Sequence, residues 1–244
     1  MNQQSSLWSD AWRRLLANKA AVAGGLVLLI LIVLAIFAPW IAPHSYSYQN
    51  LDLGAQPPSA EFLLGTDTLG RDLFSRILYG ARVSLLVGFV ATAVALVIGV
   101  SWGIVAGYFG GRVDSVMMRI VDVLYGLPFI IFIILLMVIF GRNIWLLFAA
   151  IGAVEWLTMA RIVRGQVLTI KNQEYVLAAQ AMGVTNMQMF RKHIFPNILG
   201  PIAVYATLTI PQVMLLEAFL SFLGLGIQPP MSSWGTLIRY GVES

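Results

Sequence analysis

Three kinds of residue in this chain could do chemistry, and each needs a particular neighbour. Gly99-Val100-Ser101-Trp102-Gly103 has the G-x-S-x-G spacing of a serine nucleophile. Such a serine needs a strand-turn-helix elbow and a histidine base. Ser101 sits inside a long apolar run, and the two histidines, His44 and His193, lie far from it in sequence. An intramembrane hydrolase therefore has no placed base. With only those histidines and no cysteine, thiolate catalysis and Cys-ligated metal are excluded and a His-based metal site has too few ligands. The phosphate-cradling pattern G-x-x-x-x-G-K-[ST] is absent, and the lysines are Lys19, Lys171 and Lys192. The expectation is a non-catalytic chain with no cofactor of its own.

The second kind is a carboxylate in an apolar stretch. Glu217 lies among Leu215, Leu216 and Ala218, and Glu155 among Ala153, Val154, Trp156 and Leu157. A charge in such a run is costly and marks a functional hypothesis by default. Either acid could line a path and attract an amine, or pair with a cation on a neighbouring subunit. Gln212 joins them as a candidate path residue. Asp122 and Arg119, three apart, are expected to pair with each other on one helix.

These residues need elements to hold them. The 244 residues are 59% hydrophobic and 11% charged. Soluble domains carry about 25% charged residues, and apolar runs of about 20 point to lipid as the solvent. The net charge of +4 would suit nucleic acid in a soluble protein. Here Lys and Arg sit between apolar runs, so orientation in a bilayer explains them and no nucleic-acid partner is expected. The fold class is all-α, a polytopic transmembrane helical bundle.

The runs predict a cytoplasmic segment over 1–19 and a first span over 20–41, too long for a signal peptide. An external loop over 42–82 follows, with an amphipathic surface helix over 60–82. The core is 83–222. Its spans run from Ser84 to Tyr108, Val116 to Phe140, Ile144 to Met159 and Ile198 to Phe222. Gly141-Arg142-Asn143 is a short turn, and a long polar segment runs from Arg161 to Asn197. Residues 223–244 form an external segment before an expected sixth span. With the N-terminus inside, Lys and Arg divide 10 inside against 5 outside, all 15 counted.

Gly99, Gly103 and Gly107 are four apart and share one helix face, a strip that lets another helix approach closely. The polar segment carries a different signal. Glu174 to Met182 is rich in helix formers, and Gly183 permits the left-handed backbone that ends a helix. Thr185 or Asn186 can cap a second short helix to about His193, and Pro196 lets the chain turn into the last span. Helix, tight turn, helix on the cytoplasmic side suits docking by another protein, with small Ala178 and Ala179 allowing close contact.

That segment resembles the EAA loop of ABC importer permeases. Ala178 and Ala179 match the pattern's two alanines, Gly183 its glycine and Pro196 its proline. Leu177 replaces the acid, His193 an isoleucine and Phe195 a leucine, while Glu174 lies three residues early. Further stretches are similar to C-type subunits of the peptide/nickel branch: Leu64 to Asp72, Gly111 to Asp114, Met159 to Gln166, and Ser221 to Gly226 leading to Pro230 to Gly235. The resemblance implies a type I ABC importer permease in a bacterial inner (plasma) membrane. It implies a sister B-type permease, two ABC ATPase subunits that bind ATP and Mg, and an external peptide-binding protein. A coupling loop over 165–197 would then include Glu174, Tyr175, Ala178, Ala179, Gly183, Val184, Thr185, Asn186, Phe190, Arg191 and Pro196. Peptide is the leading cargo. Nickel or another small solute is the alternative, and an ion-coupled secondary transporter is the competing class.

Overall fold

The computed structural model describes residues 7–243 except Arg142. Residues 1–6 of the expected N-terminal segment, Arg142 of the expected turn and Ser244 therefore lie outside the described residues. The chain divides into two compact units, Met1–Arg82 and Val83–Ser244.

The first unit begins with α1 (Leu7–Ala17) and α2 (Lys19–Ile41). Asn18 caps α2 by accepting the Ala21 N–H at 3.2 Å. Leu26, Leu29 and Ile36 are exposed on α2, as befits a helix whose solvent is lipid. The chain then enters a loop that is not the expected surface helix. Residues 60–72 form turns, with an antiparallel bridge between Thr66 and Asp72. Gly65 and Gly70 explain the difference. Both have positive φ, and a Cβ on Gly70 would overlap the Asn50 carbonyl. Helix begins only at α3 (Leu73–Phe109), which runs on into the second unit.

Asp67 organises this loop. Its carboxylate accepts backbone N–H groups from Leu69 at 2.9 Å and Arg71 at 3.0 Å. It also accepts Nε of Arg71 at 2.7 Å and a hydrogen bond from Arg76. Burial raises the Asp67 pKa, but these Arg71 hydrogen bonds and charge outweigh it and hold the group below its ordinary value.

In the second unit the expected third span is two helices, α4 (Gly111–Tyr125) and α5 (Phe129–Phe140), bent by 75°. Pro128 is the reason: it has no N–H to donate and pushes Leu127 out of helical geometry. α6 runs from Ile144 to Lys171, so the first part of the expected polar segment is helix. α7 (Glu174–Ala181), α8 (Asn186–Met189) and a π-helical turn (Phe190–Ile194) follow. They lead directly into α9 (Phe195–Phe222). Pro196 does not turn the chain; it is the second residue of α9, directly after the π-helical turn and inside one continuous helical run from Asn186 to Phe222. The last segment contains α10 (Trp234–Glu243). Among the described residues four helices are long and apolar enough to cross a membrane, or five if the bent pair is one span.

The core joins α3, α5, α6 and α9 through Val87, Ile133, Ile151, Val213 and Leu220. Between lipid-solvated helices such contacts stabilise by close packing rather than by escape from water. The glycine strip gives the closest approach. A Cβ on Gly103 would lie 2.6 Å from the Ala160 carbonyl oxygen, and one on Gly107 would lie 2.9 Å from Cβ of Val167. A Cβ on Gly99 would lie 2.7 Å from the Trp156 carbonyl oxygen. The backbone of α6 thus fills the space that side chains on this face of α3 would need.

Candidate functional site

Two regions carry the candidate residues, and they share α6 and α9. The first is the segment from α7 to the π-helical turn. Gly183 has φ +79°, the left-handed backbone that stops α7. Thr185 then starts α8 with a reciprocal cap: its side chain accepts the Gln188 N–H while Gln188 accepts the Thr185 N–H. Val176, Ala179, Met189, Ile194 and Ile198 are buried with Val163 and Val167 of α6. Where these side chains leave water, each stabilises by about 1.5–3 kcal/mol. The segment is therefore pinned to α6 by its apolar underside.

Its outer surface stays uncovered. Tyr175, Leu177, Met182 and Met187 are exposed, Met182 at 79%. The two alanines separate: Ala178 is exposed, but Ala179 is buried and packs inward rather than outward. Glu174, Arg191 and Pro196 are exposed, and Val184 and Phe190 half-buried. Asn186 receives a hydrogen bond from Tyr108 Oη at 2.8 Å, and Lys171 Nζ donates to the Tyr108 carbonyl at 2.7 Å. Tyr108 therefore braces this segment from the end of α3. Sequence spacing gave no hint of this brace.

The second region is a cavity of about 600 Å³ between α4, α5, α6 and α9. Glu155, Thr158 and Gln212 supply its polar wall, while residues such as Tyr125, Phe129 and Leu216 make the rest apolar. Glu155 is 8% exposed, and no hydrogen bond or ion pair is found for its carboxylate among the described residues.

Glu217 is not in this cavity. It is fully buried, accepting Ser221 Oγ at 2.6 Å and Ser84 Oγ at 3.3 Å. Ser233 Oγ lies 3.4 Å from Ser221 Oγ, and the Trp234 and Thr236 N–H groups donate to Ser84 and Ser233. Every hydroxyl can thus pass its donor toward the carboxylate, which ties α9 to α3 and to the start of α10. Of the two candidate glutamates, Glu155 faces open space and Glu217 faces protein.

Asp122 also departs from expectation. It pairs with Arg161 of α6 at 2.8 Å rather than with Arg119. The Arg161 guanidinium stacks over Tyr125, 4.1 Å from the ring centre. Asp114 binds Arg164 through both oxygens, at 2.5 and 2.6 Å. Two ion pairs therefore fasten α4 to α6. Ser101 Oγ donates to the Val97 carbonyl within α3, a helix-internal bond that offers no nucleophile.

Known proteins resemble this chain in sequence and in fold. The description of the binding-protein-dependent transport system inner membrane component matches residues 99–242. That of the N-terminal TM domain of oligopeptide transport permease C matches residues 6–58. The chain is 52% identical over 239 residues to the dipeptide transport system permease protein DppC of Bacillus subtilis (strain 168), covering 98% of this chain and 75% of that one. It is 49% identical over 238 residues to the oligopeptide transport system permease protein OppC of Haemophilus influenzae, covering 97% and 76%. To OppC of Escherichia coli (strain K12) it is 48% identical over 241 residues, covering 98% and 80%. The fold matches a structure titled as inward facing conformations of the MetNI methionine ABC transporter, with TM-score 0.61, 22% identity and coverage of 70% of this chain and 83% of that one. The chain therefore belongs to the inner-membrane permease components of binding-protein-dependent transport systems, in the branch of the oligopeptide and dipeptide C-type permeases.

Proposed function

We propose that this chain forms half of the import path for peptides. Its relatives are named as dipeptide and oligopeptide permeases, and the membership sets aside an ion-coupled secondary transporter. The cavity carries the reading: it is mostly apolar, with Glu155, Thr158 and Gln212 as its polar wall. Peptides combine apolar side chains with amide and charged groups, and this wall suits both. A sister B-type permease supplies the other half, and an external peptide-binding protein delivers the cargo.

Two ABC ATPases drive the cycle, one of them gripping the uncovered face of Tyr175, Leu177, Met182 and Met187. Gly183, Thr185 and the Tyr108 brace make that element stiff, and its continuity with α9 carries motion to Gln212 in the cavity. Coupling needs an element whose position both sites bias. The N-terminus and this segment lie on the cytoplasmic side.

The chain has no cysteine, so an introduced one is unique within it. In proteoliposomes holding the whole complex, ATP-driven uptake of trialanine is expected. Gln212→Cys capped with a bulky maleimide should abolish it. Uptake that continues at the uncapped rate removes the cavity from the path.

A further inference from the structure

We infer that Glu155 is the residue that receives the peptide's terminal ammonium group during passage, and so sets a preference for a free amino terminus. The inference rests on the cavity being the peptide path. Glu155 lines the cavity, is more than nine-tenths buried, and has no hydrogen-bond or ion-pair partner among the described residues.

A carboxylate that opens into a mostly apolar cavity without a protein partner is costly, and a cationic ligand removes that cost. The nearest basic residue further along α6 does not. Arg161 already pairs with Asp122 and stacks on Tyr125. Arg164, one turn further along α6, is held by Asp114. Both guanidinium groups are thus balanced outside the cavity, and the negative charge inside is left for its occupant.

The other wall groups fit the rest of a peptide. Thr158 lies one turn from Glu155 on α6, and Gln212 comes from α9; their side chains can meet backbone amides of any sequence. Phe129, Leu215 and Phe219 give apolar surface. One fixed charge with sequence-neutral polar and apolar walls would read the terminus and ignore the side chains. Glu217 cannot serve this role, because its oxygens are taken up by Ser221 and Ser84.

The test uses the intact complex without nucleotide and without the binding protein, whose own selectivity would otherwise mask the cavity's. Two probes are compared: alanyl-alanyl-benzoylphenylalanine with a free amino terminus, and the same tripeptide acetylated. Photolabelling of this chain is the readout. The wild type is expected to favour the free-amino probe about tenfold, the scale of one charge-assisted hydrogen bond. Glu155→Gln should label equally with both probes, and Glu155→Asp should keep the preference. A preference retained in Glu155→Gln, or absent from the wild type, overturns the inference. So does a Glu155→Gln complex that falls apart, since Glu155 would then be paired with a cation of the sister subunit. Failure of both probes to label the wild type would instead refute the peptide path itself.

Discussion

The phenol hydroxyl of Tyr108 lies 2.8 Å from Oδ1 of Asn186, joining the end of α3 to the first residue of α8. Lys171 at the end of α6 donates to the carbonyl of the same tyrosine. One residue thus fastens two membrane-crossing helices to the proposed docking segment. Tyr108→Phe removes the hydrogen bond but keeps the ring. One such bond is worth about 1 kcal/mol, so the thermal midpoint of the complex should barely move. ATP consumed per peptide imported should rise several-fold, because the segment would slip when pushed. Measuring ATP hydrolysis and uptake together in proteoliposomes checks this; an unchanged ratio would deny the brace a part in coupling.

Gly183 tests the same element by a different route. Its φ of +79° is uncomfortable for any side chain, yet a Cβ there would meet no atom within 4 Å. The penalty is backbone strain alone, about 1–2 kcal/mol per residue for an ordinary side chain, and greatest for a β-branched one. Gly183→Val should misplace α8 and uncouple ATP hydrolysis from uptake, while Gly183→Asn, which tolerates this conformation, should remain coupled. Both variants behaving alike would argue against a geometric role.

Gly103 should fail through packing. The Ala160 carbonyl oxygen and the Arg164 backbone nitrogen occupy the space its Cβ would take, at 2.6 and 2.9 Å. Backbone cannot step aside as a flexible side chain can. Gly103→Val should separate α3 from α6 at a cost of about 1–3 kcal/mol and lower the thermal midpoint of the complex. Gly200→Ala, with open space around it, is the control expected to do nothing.

Asp67 gives a pH dependence. Its pKa is held below the ordinary 3.8, so the unfolded loop binds its proton more readily than the folded one. The stabilisation is present above the ordinary carboxylate pKa and is lost as pH falls through the depressed folded value. Limited proteolysis of the 44–72 loop should stay slow down to about pH 4 and accelerate below it. Asp67→Asn should be cleaved faster at neutral pH and show little further change in acid. A wild-type loop equally resistant throughout would contradict the assignment.

Much of this was legible in the residues, and the misses have physical causes. Composition reports lipid solvation directly, so the α2 span emerged within a residue of its observed start. Thr185 and Gly183 speak through local backbone chemistry: Gly183 is left-handed as expected, and of the two cap candidates, Thr185 and Asn186, the structure uses Thr185. The extension of α6 past Arg161 was hidden because hydropathy sees only the apolar stretch, whereas Val163, Val167 and Ile170 continue the buried helical face beyond it. The bend at Pro128 was masked by apolar runs on both sides. The partner of Asp122 lies on another helix, and Glu217 is met by Ser84 of α3 as well as by Ser221 of its own helix, whereas sequence proximity suggested only Arg119. The difference between Glu155 and Glu217 is largely tertiary: both stand in apolar runs, but Glu217 meets Ser221 one turn on and, through one network, the distant Ser84 and Ser233.

The central claim is that the uncovered face of the α7–α8 segment receives the motor. Met182 is its most exposed large apolar side chain, and a cysteine there would be the chain's sole thiol. In inside-out vesicles carrying the whole complex, Met182→Cys is expected to form a crosslink of roughly 10 Å span to an ATPase subunit, with a yield that changes on ATP binding. A crosslink to no ATPase in any nucleotide state, or labelling of that cysteine only from the outer face, would contradict the account.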